Sequence, residues 1–269
     1  MIIYDFGIKK VWKILKKCVD DIFRKLKIKI VTVLLILSHT DSDHYGNLEE
    51  ISKYIIQKYS PIHISLMLPC SREQFINLSK KIRIIGDFEN FKEGDNVITC
   101  LLNSECKLQV HYPPFYNNRD NNRNSLIAII YFGKNKEKIV LTGDQSFDQI
   151  NGILEEKKIT ETSIFQIPHH GSQKTYNDYD YKLIPSRVYI ISGKPENDEN
   201  TFTDNRLHNI TCQYKTVQHI IETTKTQTKR IYVCFTQLRL DENSVKILNE
   251  NYKITVVGVN TELGYIPIN

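Results

Sequence analysis

The side chains able to do chemistry are concentrated in three short segments: Ser38-His39-Thr40-Asp41-Ser42-Asp43-His44-Tyr45-Gly46, Thr142-Gly143-Asp144 and Pro168-His169-His170-Gly171-Ser172. Imidazole nitrogens and carboxylate oxygens are the ligands that zinc and manganese take from proteins. His39 and Asp41 lie two apart, as do Asp41 and Asp43, so a tight loop can turn several donors inward. His44 follows Asp43 directly and must point differently, so both can serve one metal only from a loop, not from a strand or helix. The chemistry such a set supports is activation of water by one or two divalent metal ions, Zn or Mn. Ser and Asp also favour helix caps, and the first segment could be a solvated cap. A packed run of ligand types directly after a buried strand favours ligation instead. For Asp144 alone a Gly-Asp turn is ordinary, and its functional reading rests on its partners.

Each segment needs a rigid element behind it, and the apolar pattern supplies one. Ile30 to Leu37 is a β-branched and leucine run of the kind buried on both faces of a sheet. Lys138 to Leu141 leads into Thr142-Gly143-Asp144, and Ser163 to Ile167 leads into the histidine pair. Strand ends of this sort are where sites gather in α/β sheets. Around them the pattern predicts a strand over Met1 to Tyr4, an amphipathic helix over Lys10 to Leu26, and a second helix carrying Leu48, Ile51, Ile55, Ile56 and Tyr59. Further strands are expected at 62–68, 98–110, 126–132, 187–192, 231–235 and 254–259, and helices at 73–80, 146–156 and 216–223. Gly133-Lys134-Asn135-Lys136 reads as a hairpin turn, and 194–213 as a long polar loop.

The three segments, taken with Asn122-Arg123-Asn124-Ser125-Leu126, resemble the metallo-β-lactamase superfamily. Ser-His-Thr-Asp-Ser-Asp-His is similar to its His-x-His-x-Asp-His signature with aspartate at the second position. The set in this order is similar to the branch that contains the hydrolase domain of the DNA-uptake protein ComEC. The resemblance covers roughly residues 1–195. It implies an α/β fold, an αββα four-layer sandwich, formed by a single hydrolase domain over 1–269. It further implies that Asp43, His44 and His170 hold one metal, that His39 and Asp41 hold the other, and that Asp144 bridges them. Asp43 and His169 are then the catalytic candidates, His169 stabilising or protonating the leaving group unless it exchanges roles with His170. Arg123, Asn124 and Ser125 are the substrate-binding candidates. The family's first strand and Gly-Asp turn have no counterpart before Asp5, so either the gene start is misread or that edge strand is missing. Neither His63 nor His111 makes a clear third histidine for the first metal; both read as structural, and Asp5 reads as a turn or supporting residue.

Composition narrows the rest. With 269 residues and 41% hydrophobic content the chain can bury a full core. Ala128 is the sole alanine while Ile, Lys and Asn abound, so the net charge of +5 partly reflects coding bias and is weak evidence for a nucleic-acid partner. The six cysteines form no Cys-x-x-Cys pair and read as reduced, mostly buried thiols of a cytoplasmic protein. No apolar run is long enough to span a bilayer, and no membrane partner is expected. The tyrosines at 176, 179 and 181 read as packing residues, and His208 and His219 as surface or helix positions. The function expected is metal-dependent hydrolysis, with a phosphodiester or nucleic acid as substrate because a carboxylate-rich site is hard in character. Hydrolysis of a small ester, lactone or lactam on the same fold is the alternative, and a metal-binding regulatory protein without turnover is the third.

Overall fold

A computed structural model describes residues 1–7, 9, 12–26, 32–61, 63–69, 76–78, 80, 87–90, 97–114, 117, 119–171, 183–192, 213–224, 231–235 and 254–258. The architecture is α/β, and the chain divides into two compact units. Over the described residues, the first falls within 1–98 and 110–127 and the second within 99–109 and 128–260.

In the first unit the strands β1 (Ile2–Tyr4), β2 (Thr32–Ile36), β3 (His63–Leu68) and β4 (Asp87–Asn90) form a parallel sheet in that order. Between them run α1 (Trp12–Leu26), the single turn α2 (Ser42–Tyr45) and α3 (Leu48–Tyr59). Val33, Leu35 and Leu37 alternate onto one face of the sheet, with Ile64, Leu66 and Leu68 of β3 beside them. Val19 of α1 and Leu48, Ile51 and Ile55 of α3 complete that core. Leu34 and Ile36, on the opposite face of β2, are buried as well, so the run does behave as a strand covered on both sides. Truncating a residue such as Leu35 to alanine would cost about 2–5 kcal/mol.

The helical stripe of α1 is narrower than its apolar residues suggested. Leu15 and Phe23 pack on the core with Val19 and Trp12, whereas Ile14 and Ile22 are exposed at its margin. Strand β4 was not foreseen, and the apolar stretch at 98–110 resolves into two strands, β5 (Val97–Asn103) and β6 (Cys106–His111). Of the helix expected at 73–80, residues 76–78 and 80 are described and helical; the loop expected at 194–213 lies outside the described residues but for Gln213, and Ser172, the tyrosines at 176, 179 and 181, and His208 lie outside them altogether.

An eight-stranded mixed sheet, ordered β12-β11-β10-β9-β8-β7-β6-β5, dominates the second unit. Its remaining strands are β7 (Ile127–Phe132), β8 (Glu137–Leu141), β9 (Thr162–Gln166), β10 (Ser186–Ile191), β11 (Ile231–Phe235) and β12 (Ile254–Gly258), with α4 (Phe147–Glu156) and α5 (Gln213–Thr224) between them. β7 and β8 form the expected antiparallel hairpin, closed by a bond from Lys136 N to Gly133 O at 3.0 Å. Gly133 sits at φ 68°, a left-handed turn position where glycine bears no steric cost. From β8 through β12 the pairings are parallel. The carboxyl ends of β8, β9 and β10 therefore open on one edge.

Among the described residues no helix is long and apolar enough to cross a membrane. Of the described cysteines Cys234 is buried, while Cys18, Cys100 and Cys106 are half-buried. Cys70 and Cys212 lie outside the described residues.

Candidate metal centre

In the first unit the donors collect just past the carboxyl ends of β1 and β2. β1 ends in Asp5, whose φ of 54° turns the chain sharply. Asp5 N donates to Ile36 O at 2.9 Å and Phe6 N to His44 O at 2.7 Å, which ties the end of β1 to both edges of the ligand loop. The Asp5 carboxylate accepts from Ser38 N at 2.8 Å through Oδ1. Through Oδ2 it accepts from Ser38 Oγ at 2.9 Å and meets His44 Nδ1 at 2.8 Å. Helix α2 starts from Asp41, whose carbonyl accepts from His44 N at 3.0 Å. Asp43 and His44 thus sit on a single helical turn and not in the loop expected for them, and as neighbours on it they point differently.

These bonds decide where the imidazole protons sit. A carboxylate only accepts, so His44 Nδ1 carries the hydrogen toward Asp5 and its Nε2 offers the lone pair in the neutral ring. Ser38 Oγ donates to Asp5 and lies 3.0 Å from His39 Nδ1 and 3.1 Å from His44 Nδ1. His39 is fully buried and its ring lies 4.0 Å from that of His44, centroid to centroid. His39 Nε2 faces Asp41 Oδ2 at 3.4 Å, and His44 Nε2 faces Asp43 Oδ2 at 3.7 Å. His39, and after it the Asn121 amide, hold the Asp41 carboxyl below its ordinary range, outweighing burial and the Asp43 charge.

Residues 117 and 119–125 pack on this first segment. Asn121 Nδ2 donates to Asp41 Oδ1 at 2.6 Å, and Thr40 Oγ1 donates to Asn121 Oδ1 at 3.2 Å. Ser125 Oγ lies 3.3 Å from His39 Nδ1, and Leu126 N donates to Ser38 O at 2.9 Å. Asn124 is fully buried and spends its amide on Asn117, accepting from its N at 2.6 Å and donating to its O at 2.9 Å. Arg123 is partly exposed, with Nε 3.7 Å from Asp120 Oδ2. His63 opens β3 at the amino end of the sheet, exposed and bonded to Ser65, and so stands away from this cluster. His111 is buried at the end of β6.

In the second unit three parallel strand ends supply the groups. β8 delivers Thr142-Gly143-Asp144, with Asp144 buried and Gly143 at φ 54°. β9 delivers His169 and His170, and His169 N donates to Gly143 O at 3.1 Å. Gln166 laces the two ends together, its side chain accepting from Thr142 N at 3.1 Å and its carbonyl from Thr142 Oγ1 at 3.1 Å. His169 Nε2 lies 3.9 Å and His170 Nε2 3.7 Å from the same oxygen, Asp144 Oδ2. β10 ends before Ser192, whose carbonyl accepts from His170 Nδ1 at 3.0 Å. A carbonyl cannot donate, so His170 also carries its proton on Nδ1 and offers Nε2. His169, His170 and Gly171 all have positive φ, and the two histidines bear about 1 kcal/mol of strain each for it.

The residues fit a divalent cation on geometric grounds. Two ligand atoms each about 2.1 Å from a tetrahedral ion are about 3.4 Å apart. The separations of 3.4, 3.7, 3.7 and 3.9 Å are near that span and exceed the usual hydrogen-bond range. Histidines that bind metals normally commit the other ring nitrogen to a carboxylate or carbonyl, as His44 and His170 do here. Ser38, Asn121 and Ser192 were not among the residues singled out from sequence. Ser38 and Ser192 share one positional signal, since each directly follows an apolar strand, but their residue type adds nothing to it. Searched against models of known families and against curated proteins, the chain matches none.

Proposed function

We propose that this chain is a metal-dependent hydrolase of the metallo-β-lactamase type, a cytoplasmic enzyme acting on a phosphodiester or nucleic-acid substrate, with the αββα sandwich as its fold. The observation that carries the reading is that His39, His44 and His170 each turn Nε2 toward a carboxylate at 3.4–3.7 Å. In His44 and His170 the other ring nitrogen faces a carboxylate and a carbonyl, which only accept, so Nε2 keeps its lone pair. The two separate sheets and the order of the motifs along the chain support the same assignment.

In this reading His39, Asp41, Asp43, His44, Asp144 and His170 are the ligands. Bound zinc or manganese would lower the pKa of a water molecule and polarise the phosphoryl oxygen. Asp5, through His44 Nδ1, holds that imidazole in the tautomer that binds. Asp41 and Asp43 expose about half of their side chains, so their charge is available to a cation from solvent. His169, held at the turn after β9, is the group that gives a proton to the departing oxygen. The partly exposed Arg123, together with Arg119, supplies positive charge to a polyanion, while Asn124 and Ser125 brace the loop that carries them.

The test has two steps. Protein purified without chelator should hold about one to two equivalents of zinc, manganese or iron. With manganese added it should cleave single-stranded nucleic acid or a chromogenic phosphodiester, and Asp43→Ala and His44→Ala should abolish this while remaining folded. A protein that takes up no metal on titration has no such centre. Intact phosphodiesters beside a hydrolysed lactone or thioester would replace the substrate class and keep the metal.

A further inference from the structure

We infer that Asn121 sets the metal preference of the proposed centre by claiming one oxygen of Asp41. The inference rests on the hydrolase reading for the existence of the metal, and on the hydrogen bonds of residues 117 and 119–125 for everything else. Asn121 Nδ2 donates to Asp41 Oδ1 at 2.6 Å. The other oxygen, Oδ2, is the one that faces His39 Nε2 at 3.4 Å. Asp41 is therefore arranged to present a single oxygen beside a single nitrogen.

The donor is itself held in place. Thr40 Oγ1 donates to Asn121 Oδ1 at 3.2 Å, which orients the amide with its nitrogen toward Asp41. Asn121 also starts the 3₁₀ turn Asn122–Asn124, with Asn124 N bonded to Asn121 O at 3.0 Å. Asn124 closes that loop on Asn117. An ordered loop thus brings one neutral donor to one carboxylate oxygen. A neutral donor leaves the carboxylate its full charge, which an arginine or lysine at 121 would neutralise.

The consequence is selectivity. A carboxylate restricted to one oxygen suits zinc, which takes few ligands in tetrahedral array. Larger, harder cations take more oxygens, and carboxylates can serve them through both. Releasing Oδ1 should therefore move the preference from zinc toward manganese. Asn121 is a positioning residue in this scheme, since it reaches the cation only through Asp41.

The experiment titrates the metal-free full-length protein with zinc alone and with manganese alone, for the parent, Asn121→Ala and Asn121→Asp. Supporting peptides and side chains of this kind are worth about tenfold or more in metal affinity. The expected result is a loss of about tenfold or more in zinc affinity with a smaller loss, or a gain, for manganese. The ratio is the readout that a merely structural role does not move, because general loosening of the loop weakens both ions alike. Asn121→Asp keeps the acceptor for Thr40 and the size of the side chain, so it carries the test should the alanine variant fail to fold. If the parent binds and both ions keep their ratio in the folded variants, Asn121 does not set the preference, although the hydrolase reading survives. A parent that binds neither ion overturns both.

Discussion

The Asp5 carboxylate accepts from Ser38 N, Ser38 Oγ and His44 Nδ1, and truncation would leave all of these donors without it. Each buried donor left unsatisfied costs about 1–3 kcal/mol. Alanine is also less tolerant than aspartate of the positive φ at this position. Asp5→Ala is therefore expected to lower the unfolding free energy of the metal-free protein by about 3 kcal/mol, read from urea denaturation. Its metal affinity should fall by about 10–100-fold as His44 loses its anchor. Denaturation at the parent's midpoint would show that Asp5 holds nothing. At this scale the sequence was informative about residue types and less so about roles. His39, Asp41, Asp43, His44, Asp144 and the 169–170 pair stood out because His and Asp rarely crowd at strand ends without purpose. Ser38, Asn121 and Ser192 did not, since serine and asparagine occupy loops everywhere and their partners depend on three-dimensional register.

Between elements, α1 and α3 are joined by a polar clamp as well as by their apolar faces. Asp20 of α1 accepts from Tyr54 Oη at 2.6 Å, from Tyr59 Oη, and from Lys58 Nζ at 2.9 Å, all on α3. Phe23 stacks on Tyr59 with ring centroids 3.5 Å apart, and Trp12 meets Tyr54 edge-on. Burial opposes ionisation of Asp20, but the bonds from Tyr54, Tyr59 and Lys58 outweigh it and pull its pKa down to about 2. A depressed carboxyl stabilises the fold above its unfolded pKa of about 3.9, and that contribution is lost as pH falls toward the folded value. Asp20→Asn should therefore be less stable than the parent by a constant margin above about pH 4, narrowing between about pH 4 and pH 2. Urea midpoints measured across that range check it; a margin that persists unchanged at pH 2 would assign the effect to packing. The helical period located both helices, because apolar spacing is a local signal. It could not foresee that Ile14 and Ile22 face water or that tyrosines and a lysine converge on Asp20, because those depend on how α1 is rotated against α3. Strand β4, Asp87-Phe88-Glu89-Asn90, was missed for a related reason: two acidic residues in four residues give no apolar alternation to read.

For the molecule as a whole, the α/β character and the strand-end positions of the chemistry were legible from the residues, whereas two sheets were expected only from the resemblance and the pairing of strands within them was not legible. Periodicity reports whether a segment is a strand and says nothing about which strand it pairs with. β1 through β3 read no differently from β8 through β12. Charge is the whole-molecule property that bears on substrate, and here the sequence alone was ambiguous, since a surplus of +5 can arise from lysine-rich coding. A polyanion is recognised by local charge, and Arg119 and Arg123 are the local charges on the loop that also carries Asn121 and Ser125. Arg119 is exposed, while Arg123 is shared with Asp120 at 3.7 Å. If these residues contact phosphates, each contact releases condensed counterions from the nucleic acid. The binding constant for single-stranded DNA should then fall linearly with the logarithm of salt concentration, with a slope of about 0.7 per phosphate contact. Arg119→Ala should weaken binding regardless of base sequence and make that slope shallower by about 0.7–1. Arg123→Ala should do the same to a smaller extent, because Asp120 already neutralises part of its charge. Fluorescence anisotropy of a labelled oligonucleotide from about 50 to 200 mM salt measures both effects, with Lys134→Ala, on the β7–β8 turn, as a comparison of equal charge change. Identical slopes for all three variants and the parent would mean that the loop arginines are solvated charges, and the phosphodiester would then have to be recognised by the metal ligands alone.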